Sequence, residues 1–492
     1  MRFKLVARVL SLVSLIVSFS MVFPMIWAAV DGSDDLYAFA LSLFCGVGFS
    51  FALFRVGNAN YGELGIREAL AVVGLSWVIA TAVGALPYVL TDVLGTYTDA
   101  FFETMSGFTT TGATVMTDIE AASRALLLWR GMTQWLGGMG IIVLSLAILP
   151  FLGVGGQELY KIEVPGPTPE KLTPRMQQTA LFLWGIYVLL TVVETIFLMW
   201  GGMDFFDALS HSLTTIATGG FSPRNASIAH YRSPYIEWVV TFFMFLGGVN
   251  FALHYLFLTG FLPGRRQNWS KIWRNDEFRF YLSFVLTAVL LVTCALVLGG
   301  IHSNLGNAVR AAAFQVVSLV TTTGFFSENY VLWPYFTQFL VMLLIFVGGC
   351  ATSTAGGLKM VRLLVLLRTI RSEIWNLLHP RAILRTKVNG KVLSQVSLNA
   401  MTAFFMLYML VLFTACLVVT ALGGTRLDVL TALSGVLASL GNTGPGFGPL
   451  GPVENYAWLP ASVKWVFSFC MLAGRLELYA ALLLFLPAAW RR

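Results

Sequence analysis

Charged side chains are what this sequence has least of. Of its 492 residues, 11% are Asp, Glu, Lys or Arg, against about 25% in an average soluble protein. So small a polar quota does not clothe a soluble core. With 57% hydrophobic residues and a mean hydropathy of +0.78, the chain is that of an all-α polytopic membrane protein. Cysteine is scarce too. Cys45, Cys294, Cys350, Cys416 and Cys470 each lie in an apolar stretch and form no CxxC pair, so they read as small packing residues and not as a disulfide or metal framework. The five histidines, His211, His230, His254, His302 and His379, include no two at ligand spacing, which leaves no transition-metal site to propose. Within the apolar runs Glu194, Glu477 and His254 are the candidates for acid–base chemistry, and no motif joins them, which speaks against an enzyme or sensor. There is no phosphate-binding glycine loop, hence no organic cofactor on this chain. The net charge of +7 lies between apolar runs, where it reads as a topology signal and not as a nucleic-acid surface.

What the chain does have is a polar, glycine-bearing stretch repeated four times between long apolar runs. Phe108-Thr109-Thr110-Thr111-Gly112 is the first, Ala217-Thr218-Gly219-Gly220 the second, Thr321-Thr322-Thr323-Gly324 the third and Asn442-Thr443-Gly444-Pro445-Gly446 the fourth. Taking Gly112, Gly219, Gly324 and Gly444 as equivalent, the intervals are 107, 105 and 120 residues. One such stretch is no more than a turn between helices; four in like surroundings make a repeated building block. Glycine reaches positive φ without a steric cost. Irregular backbone at membrane depth is tolerated where it lines a cavity. Carbonyl and hydroxyl oxygens on such backbone replace the water shell of a cation. The candidate ligands are therefore the oxygens around Thr110, Thr111, Ala217, Thr218, Thr322, Thr323, Asn442 and Thr443, with Gly112, Gly219, Gly324 and Gly444 shaping the loops.

Two spans, at about 5–30 and 36–54, precede the repeats; the first is too long for a signal peptide's apolar core. Each repeat then reads as outer helix, short pore helix, filter loop and second helix: 68–91, 97–108 and 124–152; 178–200, 204–215 and 235–261; 280–299, 306–320 and 335–367; 394–422, 427–439 and 462–487. The corresponding divisions are 1–60 for the two N-terminal helices, then 61–156, 157–262, 263–375 and 376–492 for the four repeats around one pore, with pseudo-fourfold symmetry. Asp99, Asp207 and Asp428 fall near pore-helix starts and are expected to cap them. With both termini inside, 23 of the 31 Lys and Arg lie in inner segments, including Lys161, Lys171, Arg175, Arg265, Arg266 and Arg381, as the positive-inside rule requires of ten spans.

Small residues mark the second helices. Gly137-Gly138, Gly247-Gly248 and, in the like place of the fourth repeat, Ala473-Gly474 let helices approach closely or unwind, and close packing is sufficient for the first two. The third repeat carries more: Gly348-Gly349-Cys350-Ala351-Thr352-Ser353-Thr354-Ala355-Gly356-Gly357-Leu358-Lys359 interrupts an apolar run and predicts a broken helix whose small-residue loop crosses the path below the filter as a gate. Arg475 is the one basic residue deep in a span, where it is expected either to pair with Glu477 or a carbonyl, or to stand as a positive barrier that holds the loop.

The four loops, the GGCATSTAGGLK stretch and the AGRLE stretch resemble the Trk/Ktr/HKT superfamily of potassium transporters, and within it the TrkH branch. The stretches Glu158–Pro167, Lys171–Arg175 and Ser372–Gly390, and the two extra N-terminal spans, carry the likeness further. The resemblance implies K+ as substrate, a homodimer in the lipid bilayer of the bacterial inner membrane with one pore per protomer, and gating by a cytosolic TrkA-like nucleotide-binding ring. Sodium-carrying relatives of this family bear Ser at the first filter glycine; Gly112 here favours potassium, with a Na+-coupled or Na+-conducting transporter as the rival reading. A purely scaffolding subunit is the third.

Overall fold

The computed structural model describes residues 2–57, 65–148, 176–261, 267–379 and 385–490. The stretch Glu158–Pro167 and the basic residues Lys161, Lys171, Arg175, Arg265, Arg266 and Arg381 lie outside the described residues, as do the repeat boundaries near 60, 156 and 262.

The first apolar run forms α1 (Phe3–Ser20) and α2 (Val22–Asp31), separated at Met21. Pro24 explains the break: it has no N–H to offer the carbonyl four residues earlier, at Ser20. Helix α3 (Asp35–Val56) returns against α1 along a face of small residues. Ser14 Oγ donates to Gly46 O at 3.1 Å and Ser50 Oγ to Ser11 O at 2.6 Å, so hydroxyls join two helices that have no hydrophobic drive to associate in lipid.

The first repeat comprises α4 (Ile66–Gly84) with its short extension α5 (Leu86–Leu90), the pore helix α6 (Tyr97–Phe108) and the second helix α7 (Arg124–Ile148). The second runs α8 (Met176–Trp200), α9 (Phe205–Ile216), then α10 (Pro234–Gly247) and α11 (Phe251–Gly260), with α12 (Gln267–Arg274) leading out. The third is α13 (Asp276–Leu298), α14 (Leu305–Val320), α15 (Tyr335–Phe346) and α16 (Met360–Leu378). A two-stranded hairpin, β1 (Lys387–Val388) and β2 (Lys391–Val392), precedes the fourth: α17 (Gln395–Gly423), α18 (Val429–Leu440), α19 (Ala461–Arg475) and α20 (Tyr479–Leu483). Among the described residues six helices are long and apolar enough to cross a membrane, and α10 with α11 makes a seventh if a bent pair counts as one span. The four pore helices lie within two residues of where the sequence puts them.

Two expectations need correction. Only Asp428 caps its helix, accepting from Thr431 N at 3.2 Å. The caps of α6 and α9 are Thr96 and Asp204, while Asp99 and Asp207, one turn in, make ion pairs with Lys464 (2.5 Å) and Arg224 (2.8 Å). Spacing alone does not separate a cap from a first-turn carboxylate, which the helix dipole also favours. The second correction concerns the glycine pairs, which do more than pack. Helices α10 and α11 are bent by 103° after Gly247-Gly248, and Asn250 caps the new helix by accepting from Ala252 N at 2.9 Å. Gly140 is non-helical inside α7 (φ 76°, ψ 135°), and α19 stops at Arg475 with Glu477 and Leu478 at positive φ. The third repeat breaks as expected, between Phe346 and Met360. All four second helices are thus interrupted, because each meets a filter loop there. A Cβ on Gly137 would lie 1.8 Å from Phe108 O, and one on Gly474 2.0 Å from Leu440 O.

Gly137→Ala is expected to lower the thermal midpoint and folded yield of the detergent-solubilised protein. Gly185→Ala, on an exposed helix position with no atom within 4 Å of the added carbon, leaves both unchanged. Equal behaviour of the two variants in a fluorescence melting assay contradicts the packing described here.

Candidate functional site

Each pore helix ends in the same short backbone figure. The N–H groups of Thr110 and Thr111 return to Gly107 O (2.9 Å) and Ser106 O (2.8 Å); Thr218 and Gly219 repeat this on Thr215 and Thr214, Thr322 and Thr323 on Leu319 and Ser318, Asn442 and Thr443 on Ser439 and Ala438. One residue of each loop is left-handed: Thr110 (φ 53°), Thr218 (53°), Thr322 (54°) and Asn442 (54°). Three of the four are β-branched, for which that region is strained by about 1–3 kcal/mol each. The two hydrogen bonds of each turn hold the strain in place.

Two residues further on stands a glycine, again at positive φ: Gly112 (85°), Gly220 (78°), Gly324 (82°) and Gly444 (93°). The equivalence drawn from the sequence is therefore one residue out in the second loop. Gly220 matches Gly112, and Gly219 takes the place of Thr111, Thr323 and Thr443. Two adjacent glycines hid the register; the pattern Thr-x-Gly-Phe shared by Thr218–Phe221 and Thr322–Phe325 carries the signal that would have found it.

The four loops follow one another in a closed circuit. A Cβ on Gly112 would meet Gly219 O at 2.3 Å, one on Gly220 Thr323 O at 1.9 Å, one on Gly324 Thr443 O at 2.1 Å, and one on Gly444 Thr111 O at 2.5 Å. The four carbonyls belong to equivalent residues, and Thr323 O is also 3.7 Å from the position of a Cβ on Gly112, across the circuit. The same four glycines line one cavity of about 130 Å3, together with Arg130, Arg224 and Glu454. Loop order around the hole is chain order.

Side chains behind the loops differ from repeat to repeat. In loops one and three, threonine hydroxyls support one another, Thr109 to Thr111 and Thr321 to Thr323, both at 2.8 Å. Loop two has Ala217 and Gly219 there, and Gln134 of α7 fills the gap. Its amide donates to Gly219 O at 2.6 Å and accepts from Phe221 N at 3.0 Å. Glu103, fully buried in α6, accepts from Val115 N (2.8 Å) and pairs with Arg130 (2.7 Å). Arg130 in turn donates to Ser222 O at 2.9 Å and lies 3.6 Å from the Phe221 ring centroid, so one buried ion pair ties loop one to loop two. Asn442 Nδ2 bridges Thr111 Oγ1 (3.0 Å) and Met471 O (2.9 Å). Gln134, Glu103 and Arg130 were not singled out as site residues by the sequence.

Residues 347–359 run against the pore-helix ends of this circuit and touch the second, third and fourth repeats. Gly356 N donates to Thr322 Oγ1 at 2.7 Å, and a Cβ there would lie 2.5 Å from Gly441 O. The Thr354 hydroxyl is shared between Ile216 O (3.0 Å) and Gly247 O (3.2 Å). Cys350 N reaches Gly248 O (2.9 Å), and Thr352, at φ 53°, reaches Asn250 Oδ1 (2.5 Å). Gly348 N and Leu358 O bond at 2.9 Å and close the base; a Cβ on Gly348 would meet Gly356 O and one on Gly357 would meet Gly348, while Gly349 packs on Gly248 O and Ser353 folds back on Cys350 O. Lys359 Nζ donates to Ala355 O at 2.5 Å. Arg475 completes the arrangement: it donates to Thr354 O (2.7 Å), Gly137 O (2.6 Å) and Gly138 O (3.1 Å), at the end of α19 where a cation also meets the helix dipole. Of the two pairings open to it, the carbonyl one is found; Glu477 pairs with Arg362.

The model of the TrkH cation transport protein family matches residues 43–491. The chain is 39% identical over the full length of both to the Trk system potassium uptake protein TrkH of Escherichia coli K12, and 37% identical, again over both full lengths, to that of Halomonas elongata. The crystal structure of the potassium transporter TrkH from Vibrio parahaemolyticus superposes with a TM-score of 0.88 at 35% identity, covering all of both chains.

Glu103→Gln is expected to destabilise the folded protein by about 3–5 kcal/mol, because it leaves a buried guanidinium without its counter-charge. Pairing it with Arg130→Met recovers part of the loss. Additive losses in this double-mutant cycle, read from unfolding in mixed micelles, contradict a coupled pair.

Proposed function

The chain belongs to the TrkH family of cation transport proteins, and from that premise we propose that it takes up potassium across the bacterial cytoplasmic membrane through one K+-selective pore per protomer, with both termini on the cytoplasmic side. The closed circuit of Thr111, Gly219, Thr323 and Thr443 carbonyls against the four glycines carries the proposal. Backbone oxygens fixed at one spacing replace the hydration of a potassium ion with little reorganisation. The filter on this reading comprises Thr110, Thr111 and Gly112; Thr218, Gly219 and Gly220, with Ala217 at the pore-helix end; Thr322, Thr323 and Gly324; and Asn442, Thr443 and Gly444. Hydroxyls extend the set inward: Thr110 Oγ1 and Thr443 Oγ1 are buried with no hydrogen-bond partner among the described residues, as is Asn442 Oδ1.

Residues 348–359 are the gate. With the loop in place, Gly356 N occupies the Thr322 hydroxyl, and the cations of Lys359 and Arg475 stand below the filter. Moving the loop frees that hydroxyl and breaks the Thr354–Arg475 bond, while Arg475 keeps its anchor on Gly137 and Gly138. Few side chains repack, since the loop is made of Gly, Ala, Ser and Thr. A cytosolic TrkA-like nucleotide-binding ring pulling on α16, and a homodimer, complete the assembly; naming the relatives as parts of a Trk system is consistent with further components.

Uptake of radiolabelled rubidium into proteoliposomes, with and without sodium, tests the substrate. Sodium-independent uptake with a reversal potential that follows the potassium gradient is expected; a sodium-dependent flux overturns the proposal in favour of the Na+ reading. Gly220→Ala, whose carbon meets backbone at 1.9 Å, abolishes uptake, whereas Gly219→Ala, which meets only the movable Gln134 amide, reduces it less. The reverse order contradicts the register. Deleting 351–355, or replacing Arg475→Gln, raises uptake by the purified chain; unchanged flux in both removes the gate.

A further inference from the structure

Away from the pore, the far end of α16 carries a groove of about 540 Å3, lined by Arg368, Arg371, Ser372 and Trp375 of the helix and by residues 385–387 beside the hairpin. Four of these seven lining residues are basic and none is acidic. The groove is built, not incidental. Asn389 (φ 51°) and Gly390 (φ 76°) form the two-residue turn that a tight hairpin needs. The Asn389 side chain accepts from Asp276 N at 2.7 Å, and its own N–H donates to Asp276 Oδ2 at 3.0 Å. Arg368 spans the joint, donating to Asp276 Oδ2 at 2.8 Å and to Lys387 O at 2.5 Å. Arg368 is thereby neutralised. The side chains of Arg371, Arg385 and Lys387 have no carboxylate or hydrogen-bond partner among the described residues and remain exposed.

The level of the groove identifies what fills it. Asp276 opens the 23-residue apolar helix α13 and so marks one boundary of the hydrocarbon. Arg368, paired with Asp276, lies at that boundary. Arg371 and Trp375 follow three and seven residues later, about 4.5 and 10 Å further along the helix. That is the depth of the headgroup layer, where tryptophan also prefers to sit. Ile370 and Ile374 on the same helix are exposed beside the groove.

We propose that this groove binds the phosphate of an anionic phospholipid such as phosphatidylglycerol, with Arg371, Arg385 and Lys387 on the phosphate and Trp375 on its outer side within the headgroup layer. Arg forks suit phosphate oxygens, and a net-negative lipid supplies the charge that no carboxylate in the groove provides. The inference requires only that the chain spans a membrane, not that its loops pass potassium. Native mass spectrometry of the delipidated full chain titrated with phosphatidylglycerol or phosphatidylcholine tests it. Retention of phosphatidylglycerol should fall about fivefold per basic side chain removed, in Lys387→Gln and again in Arg371→Gln/Arg385→Gln. Lys271→Gln/Arg274→Gln, elsewhere on the inner surface, should leave it unchanged. Equal retention by the groove variants overturns the proposal, as does equal binding of phosphatidylcholine. Displacement by glycerol 3-phosphate assigns the groove to a soluble anion instead. Unaltered lipid retention with loss of a cytosolic protein partner assigns it to that protein, and either result defeats the lipid reading.

Discussion

A peptide group in hydrocarbon must find a hydrogen-bond partner inside the protein, and every feature of this molecule follows from how the chain departs from helix without violating that rule. Each pore helix leaves the helical path at a left-handed residue and still satisfies the N–H groups of that residue and the next on its own last turn. Only the carbonyls are released, and they are released at equivalent places in four loops. A structure that hides these N–H groups and leaves carbonyls free of them concentrates acceptor oxygens where the four loops meet. The glycines are then required twice over, by φ and by the neighbouring loop's carbonyl, which leaves no room for a side chain.

Repetition ends behind the loops, where each is buttressed differently. Counting nine residues back from each filter glycine gives Glu103, His211, Gln315 and Gly435. Glu103 holds loop one and anchors Arg130, His211 reaches Ser222 Oγ at 3.0 Å, and at Gly435 the Leu450 and Phe467 side chains take the space. A fourfold backbone carried by one chain has no need of fourfold side chains. The asymmetry lets loops one and two share a buried ion pair, while Thr322 of loop three takes a hydrogen bond from Gly356.

This division explains what was legible in the sequence. Pore helices, filter threonines and the small-residue interruption at 348–357 declare themselves by composition, because lipid punishes polar residues that have no task. The register of loop two did not, since Gly219 and Gly220 are chemically identical and differ only in torsion. Nor did the supports. Gln134 is one of few polar residues in an apolar helix, and its role depends on the missing side chain at Gly219, 85 residues away in sequence. The breaks in the second helices of repeats one, two and four were left open between packing and unwinding for a related reason: a glycine pair serves both, and here close approach to the loops imposes both.

The breaks also account for Arg475. Interrupting four helices at one depth leaves helix-terminal carbonyls without intrahelical partners, a cost that grows with each repeat. Gly137 O, Gly138 O and Thr354 O belong to two different repeats and are satisfied by the guanidinium of a third. No neutral side chain offers donors enough in one plane for that task. The charge of Arg475 is therefore accounted for first by the carbonyls that the broken helices leave there. Because one of the three carbonyls is Thr354 O, the same guanidinium also ties the 347–359 loop to the first repeat.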